Sequence, residues 1–271
     1  MQAVDQAAAY IAIARNALTQ AGLERVERDG SVYWRGGNGP ITIVLIHGIN
    51  DQAGTWAAVA PALAKHYRVI IPDLPGHGDS EPKSGPIEMQ TILDRVAQIL
   101  DHEDAHCCIV VGNSFGAWIA ILHALAHPDR VQHLVLESGG GLARMPNVPL
   151  FTTDRATAVT ILRAVWGPEY NPPDWSIDAL IKRASDSPIL RLIGQLNYFV
   201  EPRLRDLHVP TTLLSGEFDG VVPLSYMQAL QDGIAGAELK IIKGAGHIPH
   251  AQQPEQWLSC LTEISSPSAH E

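Results

Sequence analysis

A serine stands at the centre of a short glycine-bounded motif in the middle of the chain. Residues 112–116 read Gly-Asn-Ser-Phe-Gly, with Ser114 in third place. The apolar run Cys108 to Val111 precedes the motif and predicts a buried strand, while the alanine- and isoleucine-rich residues after it predict a helix. A tight strand-to-helix turn exposes its serine, and glycines on either side give the backbone room to bend. This context predicts that Ser114 is a nucleophile.

A serine hydroxyl needs a base, and the base needs an acid to orient it. Of twelve histidines, His247 lies in a glycine-bracketed loop after the last predicted strand, and Asp219 lies in the loop after the strand Thr211 to Leu214. Loops at the carboxyl ends of parallel strands converge on one edge of the sheet. We therefore predict a triad of Ser114, Asp219 and His247. Other histidines fall on predicted helices and are expected at the surface, namely His102, His123 and His127.

Two further carboxylates compete for the role of the acid. Glu217 stands two positions before Asp219, and Glu137 ends the predicted strand that His133 begins. Both rank below Asp219.

The tetrahedral intermediate of acyl transfer carries an oxyanion, which needs preorganised hydrogen-bond donors. We predict the backbone N–H groups of Phe115 and Ile49, the latter in the loop after the first predicted strand. His47, in the same loop, is expected to hold the loop by hydrogen bonds. Asn50 and Asp51 could line the pocket or cap the helix that follows, and capping is the favoured interpretation.

Short β-branched runs alternate with helical segments and predict a mostly parallel sheet covered by helices on both faces. The predicted strands are Ile41 to Ile46, Arg68 to Ile71, Cys108 to Val111, Leu134 to Leu136, Thr211 to Leu214 and Leu239 to Ile242. The predicted helices are Ala53 to Lys65, Ile87 to His102, Phe115 to His127, Ser225 to Ile234 and Pro254 to Ile264. Residues 1–271 are expected to form one domain.

Residues 142–207 interrupt the alternation, with seven prolines, short helical pieces and no convincing strand. We interpret this segment as a small helical cap inserted before the strand that leads to Asp219. Its aromatic residues, among them Trp166, Trp175 and Phe199, suggest an apolar underside and a small to medium hydrophobic substrate.

Composition narrows the range of partners. A formal charge of -10 is the opposite of what a nucleic-acid or anionic-membrane binder needs. Residues 1–22 show apolar residues at helical spacing but neither a basic start nor a continuous apolar block, so a cytoplasmic protein is expected. We expect a monomer or homodimer that acts on a small-molecule ester. The three cysteines lack metal-ligand spacing and are interpreted as small core residues, namely Cys107, Cys108 and Cys260.

Over nearly its whole length, the chain resembles the α/β-hydrolase superfamily. The segments that carry the resemblance are His47-Gly48, Pro72 to Ser80, Gly112 to Gly116, Gly216 to Pro223 and Gly244 to His247. The resemblance implies a triad hydrolase that needs no metal or organic cofactor, with the segment from Pro72 as structural support. Serine as the nucleophile separates the chain from epoxide hydrolases and haloalkane dehalogenases, which use aspartate there.

The leading functional hypothesis is hydrolysis of a carboxylic ester through an acyl-enzyme intermediate. The motif at residues 112–114 also resembles that of carbon–carbon bond hydrolases acting on ring-cleavage products, and Arg183 or Arg191 could bind the carboxylate of such a substrate. Ile49 and Ile248 depart from that subfamily, which has a glycine-rich loop and a tryptophan at the two places. A non-hydrolytic relative, a lyase or a ligand receptor, is the third possibility, since a fold does not fix a function.

Overall fold

A computed structural model describes residues 5–265 except 145 and 186. The ten strands are β1 (Glu24–Arg28), β2 (Ser31–Gly36), β3 (Thr42–Ile46), β4 (Arg68–Pro72), β5 (Ile87–Glu88), β6 (Cys108–Asn113), β7 (Val131–Glu137), β8 (Leu192–Ile193), β9 (Thr211–Gly216) and β10 (Glu238–Ile242). The α-helices are α1 (Gln6–Gln20), α2 (Ala60–Leu63), α3 (Met89–His102), α4 (Phe115–Ala126), α5 (Arg155–Trp166), α6 (Asp174–Arg183), α7 (Pro188–Arg191), α8 (Leu224–Gly233), α9 (Pro249–Gln252) and α10 (Pro254–Ser265). Short 3-10 helices cover Ala53–Ala58, Pro128–Arg130, Gln195–Tyr198 and Glu201–Asp206.

Eight strands form the central sheet in the order β1-β2-β4-β3-β6-β7-β9-β10. Neighbours from β4 to β10 are parallel, whereas β1 and β2 form an antiparallel hairpin at one edge. This confirms the predicted α/β-hydrolase fold with a mostly parallel sheet. The hairpin was not predicted, because β1 is charged and largely exposed and shows no apolar alternation.

Alternate side chains of the strands enter two separate cores. In β3, Val44 and Ile46 face the side covered by α3, α4 and α8, whereas Ile43 and Leu45 face the side covered by α2 and α10. Both faces of the sheet are therefore buried, which explains the continuous apolar runs that predicted these strands.

Strand register aligns the ends of the strands at one edge of the sheet. Ile46 of β3 pairs with Gly112 of β6, and Glu137 of β7 pairs with Asn113. The loops that follow these strands therefore leave the sheet side by side and meet above it.

Several sequence predictions need correction. Ala53 to Lys65 is a 3-10 helix followed by the short α2, and residues 87–88 form β5 instead of starting the helix. His123 is buried, because α4 is apolar nearly all round and packed on several sides, and burial lowers the pKa of its imidazole to about 4. Cys107 is exposed, since β6 begins one residue later, and only Cys108 lies in the core.

The segment 142–207 lies between β7 and β9 and is mostly helical, with α5, α6 and α7. It also contains β8, a two-residue strand that pairs with β5 in a small separate sheet. No strand was predicted there, because two residues carry too little pattern to be recognised. Within the described part of the chain, no helix has the length and apolar character needed to cross a membrane.

Candidate active site

Ser114 occupies a strained turn between β6 and α4. Its backbone has φ 54° and ψ −114°, a region that non-glycine residues rarely adopt. The turn is closed so tightly that a Cβ on Gly112 would lie 2.2 Å from the carbonyl oxygen of Gly116. The Ser114 N–H donates to the carbonyl of Glu137 at 2.7 Å, which fixes the turn to β7. The turn is therefore possible because Gly112 has no Cβ.

His247 and Asp219 meet above the ends of β9 and β10. His247 Nδ1 lies 3.0 Å from Asp219 Oδ2, and the Asp219 side chain is only 1% exposed. Asp219 Oδ1 also accepts the N–H groups of Val221 and Val222, each at 2.9 Å. These two hydrogen bonds therefore hold the carboxylate in a fixed orientation toward the imidazole.

Two backbone contacts fix His247 itself. Its N–H donates to the carbonyl of Val165 at the end of α5, at 2.8 Å, and its carbonyl accepts from Asn113 Nδ2 at 3.0 Å. Burial lowers the pKa of His247, but the negative charge and hydrogen bond of Asp219 outweigh burial and leave the pKa above its ordinary value of 6.5. The carboxylates of Glu137 and Asp51 raise this pKa further.

Neither competing acid is paired with His247. Glu217 binds the Lys243 ammonium at 3.2 Å and the Gly244 N–H at 3.0 Å, on the exposed side of its loop. Glu137 is fully buried and pairs with His250 instead, with 2.7 Å between Oε1 and Nδ1. The structure thus brings His247 to the carboxylate that the sequence ranked first.

Glu137 is the centre of a polar network beneath Ser114 that sequence reasoning did not find. Its Oε1 also accepts from Asn113 Nδ2 at 3.1 Å, and its Oε2 accepts from Trp257 Nε1 at 2.7 Å. On its other side, His250 Nε2 lies 3.1 Å from Thr55 Oγ1. No local sequence signal marks this network: His250 and Trp257 lie more than a hundred residues from Glu137, and Asn113 reaches it from the neighbouring strand β6.

The loop after β3 lies directly against Ser114. A Cβ on Gly48 would be 3.3 Å from the Ser114 Cβ, so the backbone immediately before Ile49 lies against the serine. His47 has the structural role expected of it, since its Nε2 accepts the Leu74 N–H at 3.0 Å. The segment from Pro72 supports the same loop, because Asp73 Oδ1 accepts the Ala53 N–H at 2.7 Å.

Asn50 does not cap the next helix as predicted. Its side chain extends to the inserted segment, where Nδ2 donates to the Leu150 carbonyl at 3.1 Å and Oδ1 accepts from Ser187 Oγ at 2.5 Å. The cap is supplied by Gln52, whose side chain accepts the Gly54 N–H. Asp51 accepts the Gln52 N–H at 2.8 Å. The backbone at Asn50 is left-handed, with φ 62°, whereas an N-cap residue has an extended backbone, which Gln52 adopts here.

A cavity of about 420 Å³ opens above Ser114 and His247. Its walls are mainly apolar and come from the loop after β3, from the inserted segment and from α1. Trp166 and Trp175 line it as expected. Phe199 does not, because its ring stacks on Trp118 with centroids 5.3 Å apart.

The two arginines of the inserted segment differ in position. Arg183 lines the cavity and its Nη1 lies 3.4 Å from the Asn50 carbonyl, whereas Arg191 donates to the carbonyls of Pro82 and Gly85. Of these two, only Arg183 is therefore placed to meet a bound molecule. Among residues 5–265, leaving aside 145 and 186, no group of three or more histidine, cysteine, aspartate or glutamate side chains is arranged to hold a metal ion.

Comparison with known proteins places the chain in a family. Residues 43–259 match the model of the alpha/beta hydrolase family, so the chain belongs to that family and is a hydrolase. It is 30% identical over 256 residues to a 2-hydroxymuconate semialdehyde hydrolase of a Pseudomonas species, which covers 82% of this chain and 86% of the relative. It is 28% identical over 257 residues to a pimeloyl-[acyl-carrier protein] methyl ester esterase of Vibrio cholerae, over 87% and 98% of the two chains.

Among solved structures, the chain is similar to a bacterial membrane phospholipase A. The two share 28% identity with a TM-score of 0.81, and the alignment covers 96% of this chain and 93% of the other. The similar proteins thus include hydrolases of esters and of other substrates. The substrate class of this chain has to be inferred from its site.

Proposed function

We propose that the protein is a serine esterase that cleaves carboxylic esters of small to medium hydrophobic substrates. The observation that carries the proposal is the 3.0 Å pairing of His247 Nδ1 with Asp219 Oδ2 beside an apolar cavity that Ser114 also lines. With Nδ1 directed at the carboxylate, the other ring nitrogen is free to act as a base.

In the proposed reaction, His247 takes the proton of the Ser114 hydroxyl as the oxygen attacks the acyl carbon. The N–H groups of Ile49 and Phe115 stabilise the oxyanion of the tetrahedral intermediate. His247 then gives its proton to the departing alcohol, and the acyl group remains on Ser114. A water molecule, deprotonated by His247, then attacks the acyl carbon, and His247 returns this proton to the Ser114 oxygen as the carboxylic acid leaves.

Carbon–carbon bond hydrolysis is the second candidate. It is supported by the similarity to the 2-hydroxymuconate semialdehyde hydrolase and by Arg183, a cation at the cavity that could bind a substrate carboxylate. The mainly apolar walls favour an uncharged ester, because Arg183 is the main feature of the lining that suits an anionic substrate.

The experiment is hydrolysis of p-nitrophenyl esters from acetate to palmitate by the native protein and by Ser114→Ala. We expect turnover that disappears in the variant, with the chain-length optimum reporting the size of the cavity. If no ester is cleaved while a ring-cleavage product is hydrolysed, and Arg183→Ala raises KM for that product, the second candidate replaces the first.

A further inference from the structure

The first helix lies outside the family match and yet forms part of the cavity. The match begins at residue 43, whereas α1 ends at Gln20. Ala7, Tyr10, Ile11 and Ala14 of α1 all line the cavity above Ser114. This wall is therefore contributed by a part of the chain that the family model does not describe.

One face of α1 is directed inward. Ala7, Ile11 and Ala14 are half-buried and Leu18 is fully buried, at a spacing of four, three and four residues. Positions with this spacing lie on one side of a helix. Ile13, on the other side, is 69% exposed and does not line the cavity. The helix thus presents two isoleucines to different surroundings two residues apart.

Contacts at both ends hold α1 in this position. Arg15 Nη1 binds Asp79 Oδ2 at 2.9 Å, and its Nε donates to Gln52 Oε1 at 3.1 Å, which ties the helix to the loop that follows Ile49. Nearer the amino end, the ring of Tyr10 packs on that of Trp175 in the inserted segment, with centroids 5.8 Å apart. The helix therefore bridges the body of the domain and the insertion.

We propose that α1 is a wall of the acyl pocket and that Ile11 limits the length of the acyl group bound there. This inference rests on the proposed esterase function for its choice of substrate. Alanines at positions 7 and 14 leave room on either side of Ile11, so the isoleucine is the largest aliphatic side chain that α1 contributes to the cavity. An apolar chain extending from Ser114 is the ligand that such a wall suits.

The test compares Ile11→Trp with the matched control Ile13→Trp on the same helix. The probes are alkyl fluorophosphonates with short and long chains, and the readout is the ratio of their second-order rate constants for labelling Ser114. A group larger than a methylene should change discrimination in an apolar pocket by at least about tenfold. We expect Ile11→Trp to slow the long probe by that factor relative to the short one, and Ile13→Trp to leave the ratio unchanged.

Ile11→Ala is the complementary variant and should favour longer chains. An unchanged ratio in both Ile11 variants, or an equal change in Ile13→Trp, would overturn the assignment of α1. The short probe reports whether each variant retains its fold. If the ratio shifts as expected but no p-nitrophenyl ester is cleaved, esterase activity is refuted, whereas the assignment of α1 as a wall of the pocket is supported. If Ser114 is not labelled at all, both proposals fall.

Discussion

The surroundings of Ser114 differ sharply between its two sides. Beneath it, Glu137 is fully buried and accepts hydrogen bonds from Asn113, His250 and Trp257. Above it lies an apolar cavity whose walls come from the inserted segment and α1, where several side chains are half-exposed. A buried carboxyl group with three hydrogen-bond partners tolerates little change, because each lost partner leaves a polar group unsatisfied. An apolar wall can change shape at smaller cost, so this side is suited to setting specificity.

The largest expected effect concerns the polar side. Both carboxylate oxygens of Asp219 lie close to His247 Nδ1, at 3.0 and 3.1 Å. Asp219→Asn keeps one oxygen for the N–H groups of Val221 and Val222, but it replaces the other by an amide NH2 and removes the negative charge. The imidazole then takes the wrong tautomer, and kcat for ester hydrolysis should fall about 10⁴-fold. Glu217→Gln, two residues away, is the control and should retain nearly full activity. Equal losses in the two variants would show that the loop, and not the His247 pair, matters.

The two sides of Ser114 should also differ in how much they contribute to the free energy of unfolding. Glu137→Ala leaves His250 Nδ1, Trp257 Nε1 and an amide of Asn113 without their acceptor. Each buried polar group left without its partner costs about 1–3 kcal/mol of unfolding free energy, and denaturant titration would measure the total loss. Glu169→Ala, at an exposed position, should be close to neutral. A loss of unfolding free energy below about 1 kcal/mol in Glu137→Ala would contradict the view that the hydrogen bonds of Glu137 stabilise the fold.

The corresponding change on the apolar side is Trp175→Ala. The ring is half-buried and lines the cavity, so its removal should lower the unfolding free energy by only about 1 kcal/mol. The enlarged cavity should accept bulkier acyl groups, and the chain-length optimum of kcat/KM should move upward. The expected difference between the two sides is refuted if Trp175→Ala lowers the unfolding free energy as much as Glu137→Ala, or if it leaves the chain-length optimum of kcat/KM unchanged.

The smallest expected effect is a shift in pH dependence. The pKa of His247 is raised by Asp219 and, less strongly, by Glu137 and Asp51, and only the neutral imidazole can act as a base. Activity should therefore fall as the pH drops through a value above 6.5. Asp51→Asn removes one negative charge while keeping an acceptor for the Gln52 N–H, so the acidic limb of kcat/KM should move to lower pH. A shift to higher pH would contradict this electrostatic account.

Sequence reasoning succeeded where short-range rules apply. The glycines at positions 112 and 116 predict the turn, because only residues without a Cβ permit so close an approach. The apolar runs predict the parallel strands, and their ends then bring His247 and Asp219 to one edge. Whether Ser114 is the nucleophile remains a prediction until it is tested chemically.

Features built from long-range contacts could not be predicted in this way. One partner of Glu137 is His250, 113 positions away, and this pairing depends on how α9 packs beneath the site. The hairpin of β1 and β2 was missed because its outer strand is charged. The apolar residues at helical spacing in residues 1–22 were recognised, but their place in the cavity wall was not, because nothing local in the sequence indicates what α1 packs against.

The most direct test of the account is to label the native protein with a fluorophosphonate and map the adduct by peptide mass spectrometry. We expect a single adduct on Ser114, no adduct in Ser114→Ala, and labelling slowed by orders of magnitude in His247→Ala. Labelling of a different serine, or equally fast labelling without His247, would contradict the claim that Ser114 and His247 form the reactive centre.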